Sequence, residues 1–91
     1  MILYYFHKNM MTMPEFDFEV DACGLMCPLP LLRLKKALQG LEDGKVIRVL
    51  ATDPAAVLDF GVFIEQAGHG LLHSEEENGV LRFLIRKGGM T

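Results

Sequence analysis

The residues of this chain best equipped for chemistry fall in one short stretch, ACGLMCPLPLLRLKK, running from Ala22 to Lys36. It holds both cysteines, Cys23 and Cys27, and Cys27 is followed by Pro28, Leu29 and Pro30. Proline is tolerated in the first turn of a helix, where the backbone N–H groups lack intrahelical partners in any case. The two prolines therefore pin a helix start, and the sequence predicts Cys27 at its N-cap. A helix N-terminus carries about half a positive elementary charge. That field favours thiolate over thiol and predicts a depressed pKa for Cys27; it would equally favour a persulfide anion on the same sulfur. Arg33, Lys35 and Lys36 on the same helix add local positive charge. The competing reading of Cys27 is a small buried hydrophobe, and the local sequence alone leaves both open.

The elements around this stretch follow from hydrophobic periodicity. Phe16, Phe18 and Val20 alternate with Asp17, Glu19 and Asp21, the period of a half-buried strand. A helix is predicted from Pro28 to Leu41, with Leu31, Leu34, Leu38 and Leu41 on its core face. That wheel turns Leu29, Leu32, Arg33 and Lys36 outward. An exposed apolar spot rimmed with charge beside a reactive sulfur reads as a docking surface for a protein partner; packing of the two leucines on a neighbouring loop is the plainer alternative. Val46 to Thr52 reads as a buried strand. Asp53-Pro54 predicts an N-cap and first helical residue, opening a helix to Ala67 with Val57, Phe60, Gly61, Ile64 and Ala67 on one face. Gly70 to Glu77 and Val80 to Arg86 are strands joined by Asn78-Gly79, a strong hairpin signal. The order βαβαββ predicts a two-layer α/β sandwich, with a four-stranded mixed sheet and both helices on one face.

Composition bounds the rest. The chain has 91 residues, enough for one domain, with 51% hydrophobic and 23% charged residues, the profile of a folded globular protein. Residues 1–14, with Met10, Met11 and Met13 as alternative starts, read as an N-terminal extension to a single domain over 15–89. A net charge of -3 argues against strong direct nucleic-acid binding. No run is long and apolar enough to span a bilayer, and no secretory signal is evident, so the cytoplasm is the expected compartment. There, two cysteines so close together read as catalytic, redox-active or metal-binding.

The segment from Asp21 to Leu38, DACGLMCPLPLLRLKKAL, resembles the signature of the TusA/SirA-like sulfur carrier family. Asp21, Gly24, Leu25, Cys27, Pro28 and Pro30 stand in register with the family's Gly-Leu-x-Cys-Pro-x-Pro box, and Asp53-Pro54 and Arg86-Lys87-Gly88-Gly89 also match members of the family. The resemblance implies a sandwich similar to the C-terminal domain of bacterial translation initiation factor three. It further implies that Cys27 carries sulfane sulfur as a persulfide. The donor would be a cysteine desulfurase or rhodanese-like protein and the acceptor a partner thiol, in routes such as tRNA 2-thiouridylation, molybdenum cofactor supply or sulfur oxidation. No cofactor or metal is implied, and the protein would be a carrier rather than a conventional enzyme. Cys23 is a departure, since the box requires no second cysteine; it reads either as an accessory thiol that resolves or protects the persulfide, or as a tolerated small residue.

Four rivals stand against this reading. Cys23 with Cys27 and His69 with His73 have zinc-ligand spacings, but the pairs lie far apart in sequence. Gly88-Gly89 suggests a ubiquitin-like thiocarboxylate carrier, but Met90-Thr91 follows. Arg33, Lys35, Lys36, Arg86 and Lys87 suggest an RNA- or protein-binding regulatory module without sulfur transfer. A thiol-disulfide oxidoreductase would ordinarily use Cys-x-x-Cys, not Cys-x-x-x-Cys.

Overall fold

The computed structural model describes residues 16–88. Its elements are β1 (Phe18–Ala22), α1 (Leu29–Gln39), β2 (Val46–Ala51), α2 (Ala56–Ala67), β3 (Gly70–Glu77) and β4 (Val80–Arg86). They form a four-stranded mixed sheet in the order β1-β2-β4-β3, with β1 parallel to β2 and the other neighbours antiparallel. This is the predicted architecture. The expected extension over residues 1–14, and Gly89, lie outside the described residues. Among the described residues, no helix is long and apolar enough to cross a membrane.

One face of the sheet makes the core. Ile47, Val49 and Ala51 from β2 and Leu81, Phe83 and Ile85 from β4 alternate inward, and the registers pair them across the strands. Leu34 and Leu38 from α1 and Ala56, Phe60 and Ile64 from α2 pack on the same cluster, so both helices cover one face. Phe60 meets Phe83 edge-on at 4.9 Å between ring centroids and is fully buried. The opposite face is laced with exposed ion pairs, Arg48 with Glu19 at 2.6 Å and Arg82 with Glu75 at 2.8 Å. Exposed pairs of this kind add little to stability. Asn78 and Gly79 take positive φ values of 54° and 82°, the conformation of a type I′ hairpin turn.

The structure corrects three local expectations. Phe16 and Phe18 are exposed rather than half-buried, because β1 is an edge strand and only Val20 and Ala22 reach the core. The second helix starts at Ala56, with Ala55 as its cap residue, so Asp53 is not its N-cap and Pro54 not its first helical residue. A turn precedes it, in which Ala56 N–H donates to the Asp53 carbonyl at 2.9 Å. With the helix set there, the buried stripe is Ala56, Phe60 and Ile64, and Val57 and Gly61 face outward.

The end of the domain is tied down by backbone. Lys87 N–H donates to the Lys45 carbonyl and Gly44 N–H to the Lys87 carbonyl, both at 2.8 Å, and Gly88 N–H donates to His69 Nδ1 at 3.0 Å. Gly88 sits so close to Gly68 that a Cβ there would lie 1.9 Å from the Gly68 carbonyl oxygen. The Arg-Lys-Gly segment therefore closes the sheet, and only glycine fits at position 88. Truncating the core at its largest buried side chain is expected to test this packing. Phe60→Ala should lose about 3–5 kcal/mol of unfolding free energy, read from urea denaturation.

Candidate functional site

Because β1 and β2 are parallel neighbours, the connections that follow them leave the sheet at the same edge. The first carries Cys23 to Cys27 into α1; the second carries Thr52 and Asp53 into α2. Three hydrogen bonds tie the two together. Gly24 N–H donates to Thr52 Oγ1 at 2.8 Å, Cys27 N–H to Asp53 Oδ2 at 2.7 Å, and the Cys27 thiol to Asp59 Oδ2, at an Sγ–O distance of 3.1 Å. Asp53 uses its other oxygen, Oδ1, to accept from Ala55 N–H at 3.0 Å, so one carboxylate clamps the approach to α2 and the cysteine loop together. Asp21 closes the start of the loop by accepting from Cys23 N–H at 3.0 Å. Gly24 has a φ of 82°, a conformation that disfavours any side chain, and Leu25 N–H donates to the Ala22 carbonyl in the turn this makes.

Cys27 is exposed, which excludes the buried-hydrophobe reading. It does not occupy the N-cap, however. Pro28 does, and Pro30 lies buried in the first turn with its ring on the core side. Leu32 N–H donates to the Pro28 carbonyl at 3.1 Å, so the prolines do fix the start of α1 as expected, one residue later.

The predicted depression of the Cys27 pKa is overturned. The hydrogen bond to Asp59 pushes it up, with loss of solvent and the Asp59 and Asp53 charges acting the same way. The reason is distance. The Asp59 carboxylate carries a full charge in contact with the sulfur, whereas the helix offers about half a charge spread over its first turn. Asp53 stays ionised beside it, held below the ordinary carboxylate range by the N–H groups of Ala55 and Cys27. Cys23 is half-buried and free, and burial followed by Asp21 raises its pKa as well.

The outer surface has the composition the wheel predicted, and more. Leu29 and Leu32 are 47% and 51% exposed, and Arg33 and Lys36 are exposed on the same helix. Lys35 instead reaches over the Phe63 ring at 5.3 Å. Sequence reasoning missed Met26, Leu58 and Val62, which are 73%, 71% and 43% exposed. Met26 precedes Cys27, Leu58 precedes Asp59, and Val62 lies one turn further along α2. It also missed Thr52 and Asp59. Their signal was topological, since two parallel strand–helix units set their helix starts side by side.

The other expectations find different places. Among the described residues, no group of three or more Cys, His, Asp or Glu side chains is placed to hold a metal. His69 accepts from Gly88 N–H, and His73 pairs with Glu75 at 3.1 Å. A groove of about 340 Å³ lined by Leu38, Phe63, Ala67 and His69 lies at the far end of α1 from Cys27. The chemistry available at Cys27 is that of an exposed thiol, able to accept and release a group by direct displacement.

Comparison with known proteins places the chain in a family and a fold. The family model described as Sulfurtransferase TusA matches residues 18–87. The sulfur carrier protein TusA of Allochromatium vinosum is 52% identical over 75 residues, covering 82% of this chain and 99% of that protein. A putative sulfur carrier protein of Bacillus subtilis is 43% identical over 72 residues, covering 79% of this chain and 96% of the relative. The crystal structure of a SirA-like protein from Desulfitobacterium hafniense superposes with a TM-score of 0.71 at 34% identity, covering 79% of this chain and 99% of that one.

The pH dependence of Cys27 reactivity checks the site. In a Cys23→Ser background, iodoacetamide alkylation should reach its half-maximal rate above the ordinary cysteine value of ~8.5.

Proposed function

Since the chain belongs to the TusA sulfurtransferase family, we propose that it is a sulfur carrier that holds sulfane sulfur as a persulfide on Cys27. The sulfur comes from a cysteine desulfurase or a rhodanese-like donor and passes to the thiol of an acceptor protein, as in tRNA 2-thiouridylation or related sulfur trafficking. The observation that carries this reading is the exposed Cys27 between two helix starts, its loop held by hydrogen bonds from Gly24 and Cys27 N–H to Thr52 and Asp53. Transfer is a displacement. Cys27 sulfur attacks the outer sulfur of the donor persulfide, the donor S–S bond breaks, and the donor thiolate leaves and takes up the proton that Cys27 gives up. The attacking atom must touch the sulfur it takes, so a carrier serves two partners only if its cysteine stands proud of the surface.

Leu29, Leu32, Arg33 and Lys36, extended by Met26, Leu58 and Val62, form the proposed docking face. Apolar residues at the centre and cations at the rim suit a partner with an apolar entrance and acidic surroundings. The acidic total charge of the chain favours a protein partner over RNA for this small basic surface.

Two experiments test the proposal. After incubation with a cysteine desulfurase and cysteine, intact mass should show one added sulfur on the wild type and none on Cys27→Ser. Cys23→Ser should retain at least part of the loading, and a variant as inactive as Cys27→Ser would make Cys23 part of the chemistry. Arg33→Glu combined with Lys36→Glu should slow loading strongly at low salt, while stability changes by no more than about 0.5 kcal/mol, as for exposed substitutions generally.

A further inference from the structure

The contact between the Cys27 thiol and Asp59 is a singular choice for a reactive cysteine. Sulfur nucleophiles are ordinarily set beside cations or bare helix N-termini, which stabilise the thiolate. Here the nearest charged group is a carboxylate, 3.1 Å from the sulfur, projecting from the first turn of α2. The other charged groups about the sulfur are few. Asp53 faces it from the connection into α2, and Asp21 lies at the start of the cysteine loop, engaged with Cys23 N–H. Arg33 and Lys36 stand exposed further along α1. The starts of α1 and α2 offer backbone fields of opposite sign.

On the reading of Cys27 as a persulfide carrier, we infer that Asp59 is a positioning residue that biases the carrier toward giving its sulfur away. The empty and loaded states meet this carboxylate differently. The empty carrier presents an S–H group that donates to Asp59, a favourable contact. The loaded carrier presents a persulfide, which is more acidic than a thiol and is anionic at neutral pH, so the hydrogen bond is lost and two negative charges face each other. Asp59 thus stabilises the product of delivery and destabilises the loaded state. The raised pKa of Cys27 is the same effect seen in the empty protein. Exchange with a small persulfide writes the balance in full. Cys27–SH and glutathione persulfide give Cys27 persulfide and glutathione: one S–S bond breaks, one forms, the proton of Cys27 ends on glutathione, and the sulfur keeps its oxidation state. The carboxylate changes where this equilibrium lies without entering its stoichiometry.

The test is that equilibrium. Wild type, Asp59→Asn and Asp59→Glu, all in a Cys23→Ser background, are equilibrated with a fixed ratio of glutathione persulfide to glutathione, and the loaded fraction is read by intact mass. Asparagine keeps the size and a hydrogen-bond acceptor but removes the charge. It should raise the ratio of loaded to empty protein about threefold to tenfold at low salt, the range of a single nearby charge in high dielectric. Asp59→Glu should stay near the wild type. Alkylation at pH 7.5 should be about threefold faster in Asp59→Asn, the gain in thiolate outweighing its lower nucleophilicity. If Asp59→Asn unfolds, the wild type still decides the matter, because salt should screen the repulsion and move it toward the loaded state. Equal loading of wild type and Asp59→Asn, or a wild-type equilibrium indifferent to salt, overturns this inference alone. A wild type that takes up no sulfur overturns the carrier reading, and this inference with it.

Discussion

The carboxylate of Asp53 is the interaction on which the site depends. Its two oxygens accept from two backbone N–H groups on different connections, Ala55 ahead of α2 and Cys27 ahead of α1. Cys27 and Ala55 belong to segments that meet only because β1 and β2 run parallel and leave the sheet at one edge. A neutral side chain could accept from both, but an ionised one makes shorter and stronger bonds. Its position between two helix starts also places negative charge where both macrodipoles favour it. Without it two N–H groups would turn to solvent, and the loop that presents the sulfur would keep only its bonds from Gly24 to Thr52 and from the Cys27 thiol to Asp59, and its internal turns.

The same geometry explains why the electrostatics of the sulfur are mixed rather than uniformly activating. A helix start alone would favour the Cys27 thiolate, a weaker nucleophile per thiolate but a better leaving group. A carboxylate at contact distance opposes that field. The result is a sulfur at which the two influences oppose each other, with the contact to Asp59 favouring the protonated thiol. The structural arrangement needs no pocket for this. The two helix starts and their loops hold the exposed sulfur, and the core between the sheet and both helices supports them.

Much of this was legible from residue order. The βαβαββ order, the hairpin at Asn78-Gly79 and the inward set Leu81, Phe83 and Ile85 follow from period and turn chemistry that act over a few residues, and the structure has them. The prolines fixed the start of α1 to within one residue, and the outward set Leu29, Leu32, Arg33 and Lys36 is exposed. What local pattern could not supply were contacts between segments distant in sequence. Asp53 looked like an N-cap because Asp-Pro before an apolar run is a common helix start. Its actual partners, Cys27 N–H among them, became available only once the parallel pair was formed. The helix starts two residues later than expected, at Ala56 rather than Pro54, and its buried stripe runs through Ala56 rather than Val57.

Asp59 was illegible for the same reason, and its effect ran against the local prediction. Position on a helix fixed the sign of the nearest backbone field at Cys27, but a contact from the other helix decided the net result. Phe16 and Phe18 failed in the opposite direction: alternation marked them as core, yet an edge strand has no second neighbour to complete their burial. In both cases the local rule was sound and the missing quantity was what lay across from the residue in space. At the exposed Cys27 sulfur, that across-space term sets the direction of the pKa shift. It is carried by a carboxylate 32 residues away in the chain, placed there by the pairing of two strands that contain no site residue of their own beyond Asp21.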